Sequence, residues 1–394
     1  MLKVDRVQVQ AFRIAAHELH RPHAVPADLA VLRLGVQDAG QVAARLATAT
    51  RLDGDPERFA GATFTETLRA AGVTLAWTHR GAPHLHHADD LPTLATAMVP
   101  LDDADAQARL SWQRKDVAEA GMPVTEALTT AASKLRGVVD ATMTKGTASE
   151  AVSKILPPGL VRWCRGCEAT HIHEQLMRLV TLRAGVRLEP DVSPATLTPI
   201  DGWPGVTTEP AEAACTRVVE EYLRVHGPAT VAEAAAFVST TRTVAKRMWP
   251  DGLAEVRVDG TAAFLPEDLL PALESPPEPG FVRLLPPSDP LLQARDRLTL
   301  VPDKANHKEV WRIIGNPGAV LADGEVVATC RARARGRKRL DISVSPLFGQ
   351  PQPSQSDLET EAARVAAARG FPEATVATGD GAPASTTIRP RMRR

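Results

Sequence analysis

The sequence predicts an α+β protein built from three tandem winged-helix (helix-turn-helix) modules and a C-terminal β-barrel. Three observations carry that expectation. Residues 205–275 read as helix, helix, short basic helix and hairpin, the order of a winged helix-turn-helix. A glycine followed by capping-box spacing occurs at 146–150 and again at 227–233, a weak internal repeat. Beyond the linker Ser275-Pro-Pro-Glu-Pro-Gly280 the apolar pattern switches from helical to short and alternating, with turn signals between runs. The expected boundaries are 1–115, 116–204 and 205–275 for the modules, 281–350 for the barrel, and 351–394 for a terminal helix with a disordered basic tail.

Composition agrees with several packed units. The chain has 394 residues, more than one ordinary core, and 44% hydrophobic residues to bury. No apolar run approaches the ~20 residues of a membrane span, and no signal-peptide block opens the chain. Its four cysteines are too few and scattered for a disulfide framework, so a cytoplasmic, membrane-free protein is expected. The net charge of −1 hides an asymmetry, with acids concentrated in residues 101–126 and cations in 331–339. Local basic strips on a balanced chain suit a protein that grips a polyanion with part of its surface.

In the first unit, Val4, Val7, Phe12 and Ile14 predict an opening helix. Val31, Leu34, Val42 and Leu46 then recur at helical spacing, which predicts one amphipathic helix over 31–46. In that helix Gln37 and Gln41 would share a face, with Asp38 about 100° away. Gly35 and Gly40 flank Gln37, Asp38 and Ala39. Two interior glycines each cost roughly 1 kcal/mol against alanine, which implies that something approaches this backbone closely. A second helix is expected over 59–70, with Thr63 and Glu66 as a capping box. Val73–His79, the turn at 80–83 and His84–His87 make a hairpin whose histidines alternate across a strand rather than chelate. Arg80 and His84 are expected to face a polyanion.

The second unit opens on an acidic, solvated helix from Asp102 to Asp116, followed by a helix over 125–139 and a capping box at Thr147 and Glu150. Cys164 and Cys167 are spaced as half a zinc site, but His171 and His173 follow with little chain to fold back. Structural cysteines near a strand turn, without metal, are expected, with a helix over 170–183. In the third unit, Thr230 and Glu233 form a capping box, and Thr240–Trp249 is a short helix carrying Arg242, Lys246 and Arg247. The Asp259-Gly260 turn closes its hairpin.

Strands are expected in the barrel at 281–285, 298–301, 310–314, 319–321 and 325–345, with Asp323-Gly324 as a tight turn. Arg331, Arg333, Arg335, Arg337, Lys338 and Arg339 place six cations in nine residues around the turn at Gly336. The first three alternate with alanine, so they line one strand face. That density exceeds what protecting a sheet edge requires, and it suits duplex phosphates. A helix is expected over 357–369, and a disordered tail after it with basic residues 389–394.

Several blocks in order carry a family resemblance: Leu34-Gly-Val-Gln37, Trp77-Thr-His-Arg-Gly81 with His84, and Trp163-Cys-Arg-Gly-Cys167 with His171. They continue with His226-Gly-Pro-Ala-Thr230, Leu284-Leu-Pro-Pro-Ser-Asp-Pro290 and Pro317-Gly-Ala-Val-Leu-Ala-Asp-Gly324. Over residues 5–345 the chain resembles the bacterial winged-helix DNA glycosylases related to the azinomycin-resistance enzyme. The resemblance implies excision of bulky or crosslinked alkylpurines from double-stranded DNA by a cofactor-free, monofunctional glycosylase, here expected to be a monomer. The family signature is Gln, an apolar residue, then Gln or Asp; aligned on it, this chain reads Gln37-Asp38-Ala39. Two consequences are open. Asp38 takes over as electrostatic stabiliser and water base while Gln37 positions the water, or the chain binds lesions without excising them. A tandem winged-helix transcriptional regulator is the competing class, and it would read sequence in the major groove.

Overall fold

The computed structural model describes residues 1–40, 42–312 and 314–379. Four sheets and four apolar clusters organise these residues. The largest cluster runs from Leu29 to Met248 and takes in Ala368, so the first three expected units share one core. A six-stranded sheet sits within it, in the order Val36–Gln37, Pro83–His87, Val73–Trp77, Val186–Leu188, Thr196–Pro199, Met143–Thr144. This sheet crosses the expected boundary at 115/116, where Leu75 pairs with Leu188.

The elements of residues 205–275 appear in the expected order: helices Glu212–His226, Val231–Val238 and Arg242–Arg247, then strands Leu253–Val258 and Thr261–Pro266. The capping box is made in both directions, with the Thr230 amide donating to Glu233 at 2.7 Å and the Glu233 amide to the Thr230 hydroxyl at 3.4 Å. Asp259 (φ 46°) and Gly260 (φ 84°) adopt the left-handed backbone that an Asp-Gly hairpin turn requires.

The N-terminal segment departs from its expected place. Lys3–Val4 pairs in parallel with the third unit's Leu253–Val258 strand, and the Arg6–Ala16 helix, capped by Asp5, packs beside it. Fully buried Arg13 fastens it there, donating to the carbonyls of Gly227 and Pro228 and pairing with Asp296. Ile14 and Leu19 continue into the core of the C-terminal unit, so this helix bridges two units.

That C-terminal unit is an open, half-barrel sheet rather than a closed barrel. Its five strands, Val282–Leu285, Gly318–Ala322, Glu325–Arg335, Arg339–Pro346 and Glu373–Thr378, run in sequence order, and the Gln355–Ala368 helix covers them. The strand expected at 298–301 is instead the short helix Arg297–Leu300, and of the one expected at 310–314 Val310 ends the helix His307–Val310, while Ile313 lies outside the described residues. Short apolar runs do not distinguish buried helix from buried strand. The strand Glu373–Thr378 lies where a disordered tail was expected, paired in parallel with the preceding strand. The basic residues 389–394 lie outside the described residues.

Local corrections follow from hydrogen bonds that spacing cannot reveal. The helix Gly61–Ala70 has no side-chain cap, with Thr63 inside it. The helix Lys145–Ser153 is capped by Thr144, whose hydroxyl accepts from the Thr147 amide at 3.1 Å, so Thr147 is not the cap. The solvated acidic helix is Asp103–Leu110, whose Asp105 is fully buried and bonded to Arg109 and Thr240. Residues 169–172 form a strand, and the following helix begins only at Glu174.

Candidate functional site

The stretch expected to be one helix is a break between two. The helix Val31–Leu34 stops at Gly35, whose φ of 103° is open to glycine. A Cβ there would stand 2.3 Å from the His86 ring, so the chain passes only because the side chain is missing. Val36–Gln37 then forms a short strand against His84–Leu85, and the Asp38 amide donates to the Pro83 carbonyl at 2.8 Å. Gly40 (φ 84°) and Val42 (φ 65°) turn the chain into the helix Ala43–Arg51. A β-branched residue in the left-handed region is strained, and such strain gathers at functional sites.

Because the backbone is extended, side chains of consecutive residues diverge. Gln37 accepts a hydrogen bond from Arg80 at 3.2 Å and lines a small cavity with Gly35, His84, Phe237 and Gln293. Asp38 faces a separate cavity of about 230 Å³, lined also by Arg45, Thr65, Arg69, Arg187 and Asp191. Ala39 and Gly40 line a third and larger groove, of about 630 Å³, whose walls include Pro287, Ser288, Arg331 and Arg369. Gln37 and Asp38 are therefore not brought into one cavity. Gln41, which was expected to share a face with Gln37, lies outside the described residues.

Asp38 is half-buried, and its carboxylate accepts the Ala44 amide at 3.4 Å at the start of the Ala43–Arg51 helix. Burial raises its pKa above the ordinary carboxylate value, and the nearby Asp191 charge adds to this. The amides of Ala44, Gly40 and Ala43 oppose the rise, so the ionised form is cradled though poorly hydrated. Asp191 is held by Arg45 at 3.0 Å and by a short hydrogen bond from the Thr65 hydroxyl. The cavity thus presents a reluctantly ionised acid beside a neutralised one. Such an acid can take a proton from water or face a developing positive charge.

Sequence reasoning missed Arg45 and Asp191. Asp191 is remote in sequence and arrives only through the shared sheet, so no local motif could have pointed to it.

The expected polyanion contacts divide into two groups. Arg80 is an internal clamp: it donates to the Phe237 carbonyl, Gln37 and Gln293, lies 4.7 Å from the Phe237 ring, and has its pKa lowered to about 9 by burial. His84 is 2% exposed and bonded to Thr78 and the Ala82 carbonyl. Neither faces solvent as expected, because their polar atoms satisfy buried partners where three segments meet. Arg242 and Lys246 are exposed on the third unit, while Arg247 is neutralised by Asp102 and Glu212. Arg331, Arg333, Arg335, Arg337, Lys338 and Arg339 are all exposed on the hairpin that turns at Gly336. Arg335 and Arg339 share Asp341, whereas Arg333, Arg337 and Lys338 form no ion pair among the described residues. Arg331 reaches the groove wall, donating to the Gly315 carbonyl.

The cysteine pair sits at a strand turn, as expected, but His171 lies closer to it than the spacing suggested. The strands Val161–Cys164 and Ala169–Ile172 fold as a hairpin that supplies the return path a helix would not, bringing Cys164, Cys167 and His171 together.

Comparison with known proteins completes the description of the site. A family model described as DNA glycosylase AlkZ-like matches residues 31–368. Streptomyces sahachiroi DNA glycosylase AlkZ has a similar fold, with a TM-score of 0.73 at 20% identity, covering 96% of this chain and 100% of that one. No curated protein matches by sequence.

Proposed function

The chain belongs to the DNA glycosylase AlkZ-like family, and on that premise we propose that it hydrolyses the N-glycosidic bond of bulky N7-alkylated purines in duplex DNA, leaving an abasic site. The observation that carries this is Asp38: a half-buried carboxylate with a raised pKa, in a helix break between Gly35 and Gly40, whose neighbours Ala39 and Gly40 line a wide groove edged by arginine. An N7-alkylated guanine is already cationic, so the base leaves readily and needs little acid catalysis. The enzyme has to stabilise a positive sugar and deliver one water. Asp38 does both, first by facing the developing charge and then by accepting the proton of the attacking water. Gln37, held by Arg80 in the neighbouring cavity, fixes the strand that carries Asp38. No lysine lines either cavity among the described residues, which supports hydrolysis without a Schiff base. The protein acts as a cytoplasmic monomer, in alkylation repair or in protection against a genotoxin.

Alanine at position 39 offers the groove no polar side chain at that position and leaves room for a bulky lesion that is not fully flipped. The same missing polar group at position 39 supports the second reading, a lesion-binding protein that performs no excision. The experiment is incubation of the protein with duplexes carrying 7-methylguanine or a bulky N7 adduct, followed by alkaline cleavage of abasic sites. Base release from either supports the enzyme; tight binding with no release from either identifies the shield. Sequence-selective binding to undamaged DNA with no release would instead identify a regulator.

The basic hairpin gives a separate expected result. Arg331→Ala and Arg333→Ala weaken DNA binding about equally for all sequences, and each lowers the salt slope by about 1. Arg335→Ala has the smaller effect, because Asp341 already neutralises that guanidinium. Binding titrations at several salt concentrations check this, and loss confined to one sequence would contradict it.

A further inference from the structure

We propose that Cys164, Cys167 and His171 bind a zinc ion that staples the Val161–Ile172 hairpin. Their ligand atoms lie within 4.8 Å of one another, on one side of the hairpin tip. In tetrahedral zinc, with Zn–S about 2.3 Å and Zn–N about 2.0 Å, such atoms are about 3.5–3.8 Å apart, so a small closure of the tip completes the site. The His171 Nε2 is buried without a hydrogen-bond partner among the described residues, a lone pair or proton left unsatisfied. Two thiolates and an imidazole select zinc over the hard cations magnesium and calcium.

The hairpin also needs a fastening. Among the described residues its two strands pair only with each other, and an isolated two-stranded ribbon is marginally stable in water. Its root is anchored: the Ile172 amide donates to the Ser153 hydroxyl at 2.7 Å and the His173 amide to the Leu160 carbonyl at 3.3 Å. Among the described residues the tip has no such anchor to the rest of the fold, only its own turn bond from the Cys167 amide to the Cys164 carbonyl at 3.3 Å, and it exposes Cys167 and Glu168 while Trp163 in the strand is 64% exposed. Zinc at Cys164 and Cys167 closes the turn, and His171 ties the turn to the opposite strand. On binding, both thiols release their protons to solvent as two Zn–S bonds form, and water fills the fourth position on the exposed side.

The test is the zinc content of the full chain, purified under reducing conditions after zinc supply and removal of free metal. One zinc per chain is expected, falling to background in the Cys164→Ser/Cys167→Ser double variant and in His171→Ala. His171→Cys, which restores a thiolate ligand, is expected to recover zinc, and Cys330→Ser, remote from the hairpin, to retain it. Cobalt substitution of the wild type is expected to show a thiolate-to-metal charge-transfer band that the double variant lacks. Circular dichroism of each variant separates loss of metal from loss of fold. A wild-type protein without zinc above background, or a folded double variant that keeps a full complement, overturns the proposal.

Discussion

Asp38→Asn is expected to reduce base release by at least about 10²–10³-fold, the range for removing one preorganised electrostatic contact to a transition state. The substitution keeps the shape and can still accept the Ala44 amide, but it removes the negative charge and the basic oxygen. Its effect on stability runs the other way. A carboxylate with a raised folded-state pKa binds more protons folded than unfolded, so its contribution to stability falls as pH rises from the ordinary value through the raised one. At neutral pH the ionised Asp38 therefore opposes folding, and the neutral amide is expected to leave the melting temperature unchanged or higher. Wild-type activity is expected to rise with pH through the raised pKa, because only the ionised carboxylate acts as base, and the acid limb is expected to vanish in the variant. Single-turnover excision across pH, with thermal melting alongside, checks both signs. Full activity of Asp38→Asn would sink the assignment, whereas lost activity with a strongly lowered melting temperature would point to a structural role.

Asp289→Ala is expected to destabilise the fold by about 3–5 kcal/mol, the cost of stranding a buried charge. Asp289 and Arg51 are both fully buried and joined by two hydrogen bonds, at 2.8 and 2.9 Å. Arg51 ends the helix whose first turn cradles Asp38, while Asp289 follows Pro286–Ser288, which wall the adjoining groove. The pair thus bolts the Ala43–Arg51 helix to the half-barrel unit. His17 shows how dry this region is, its pKa pushed down to about 3 by burial first and the Arg51 charge second. Chemical denaturation should reveal the loss as a lowered midpoint. Replacing both partners together with apolar residues of similar size should recover most of it, because no charge is then left unpaired. A loss below about 1 kcal/mol for the single variant would show that the pair is solvated or dispensable.

The features legible in the sequence are those closed by neighbours in the chain. Thr230 and Glu233 are three apart, so their mutual cap depends on nothing distant. Gly260, Gly324 and Gly336 turn where they were expected to, because each hairpin needs a left-handed residue at that point. The alternating arginines at 331, 333 and 335 do share a strand face. The misread cases share a different character. Residues 31–46 carry helical periodicity, yet Gly35 yields to His86 and the chain crosses to a strand partner nearly fifty residues away. Arg80 and His84 look like surface groups until Gln37, Phe237 and Thr78 are found around them. The spacing at Thr63 and Glu66 is right for a cap, but the helix starts two residues earlier.

The residue types alone determined where the basic hairpin lies and that Asp38 stands between Gly35 and Gly40. Those properties are encoded locally, in charge, spacing and turn preference. Only the tertiary structure decided that Gln37 and Asp38 open into different cavities, that Asp191 and Arg45 join the acid, and that a hairpin returns His171 to the cysteines. Each of those depends on pairing between segments far apart in the chain. Such pairing is set by burial and sheet register across the whole fold, which no window of sequence contains.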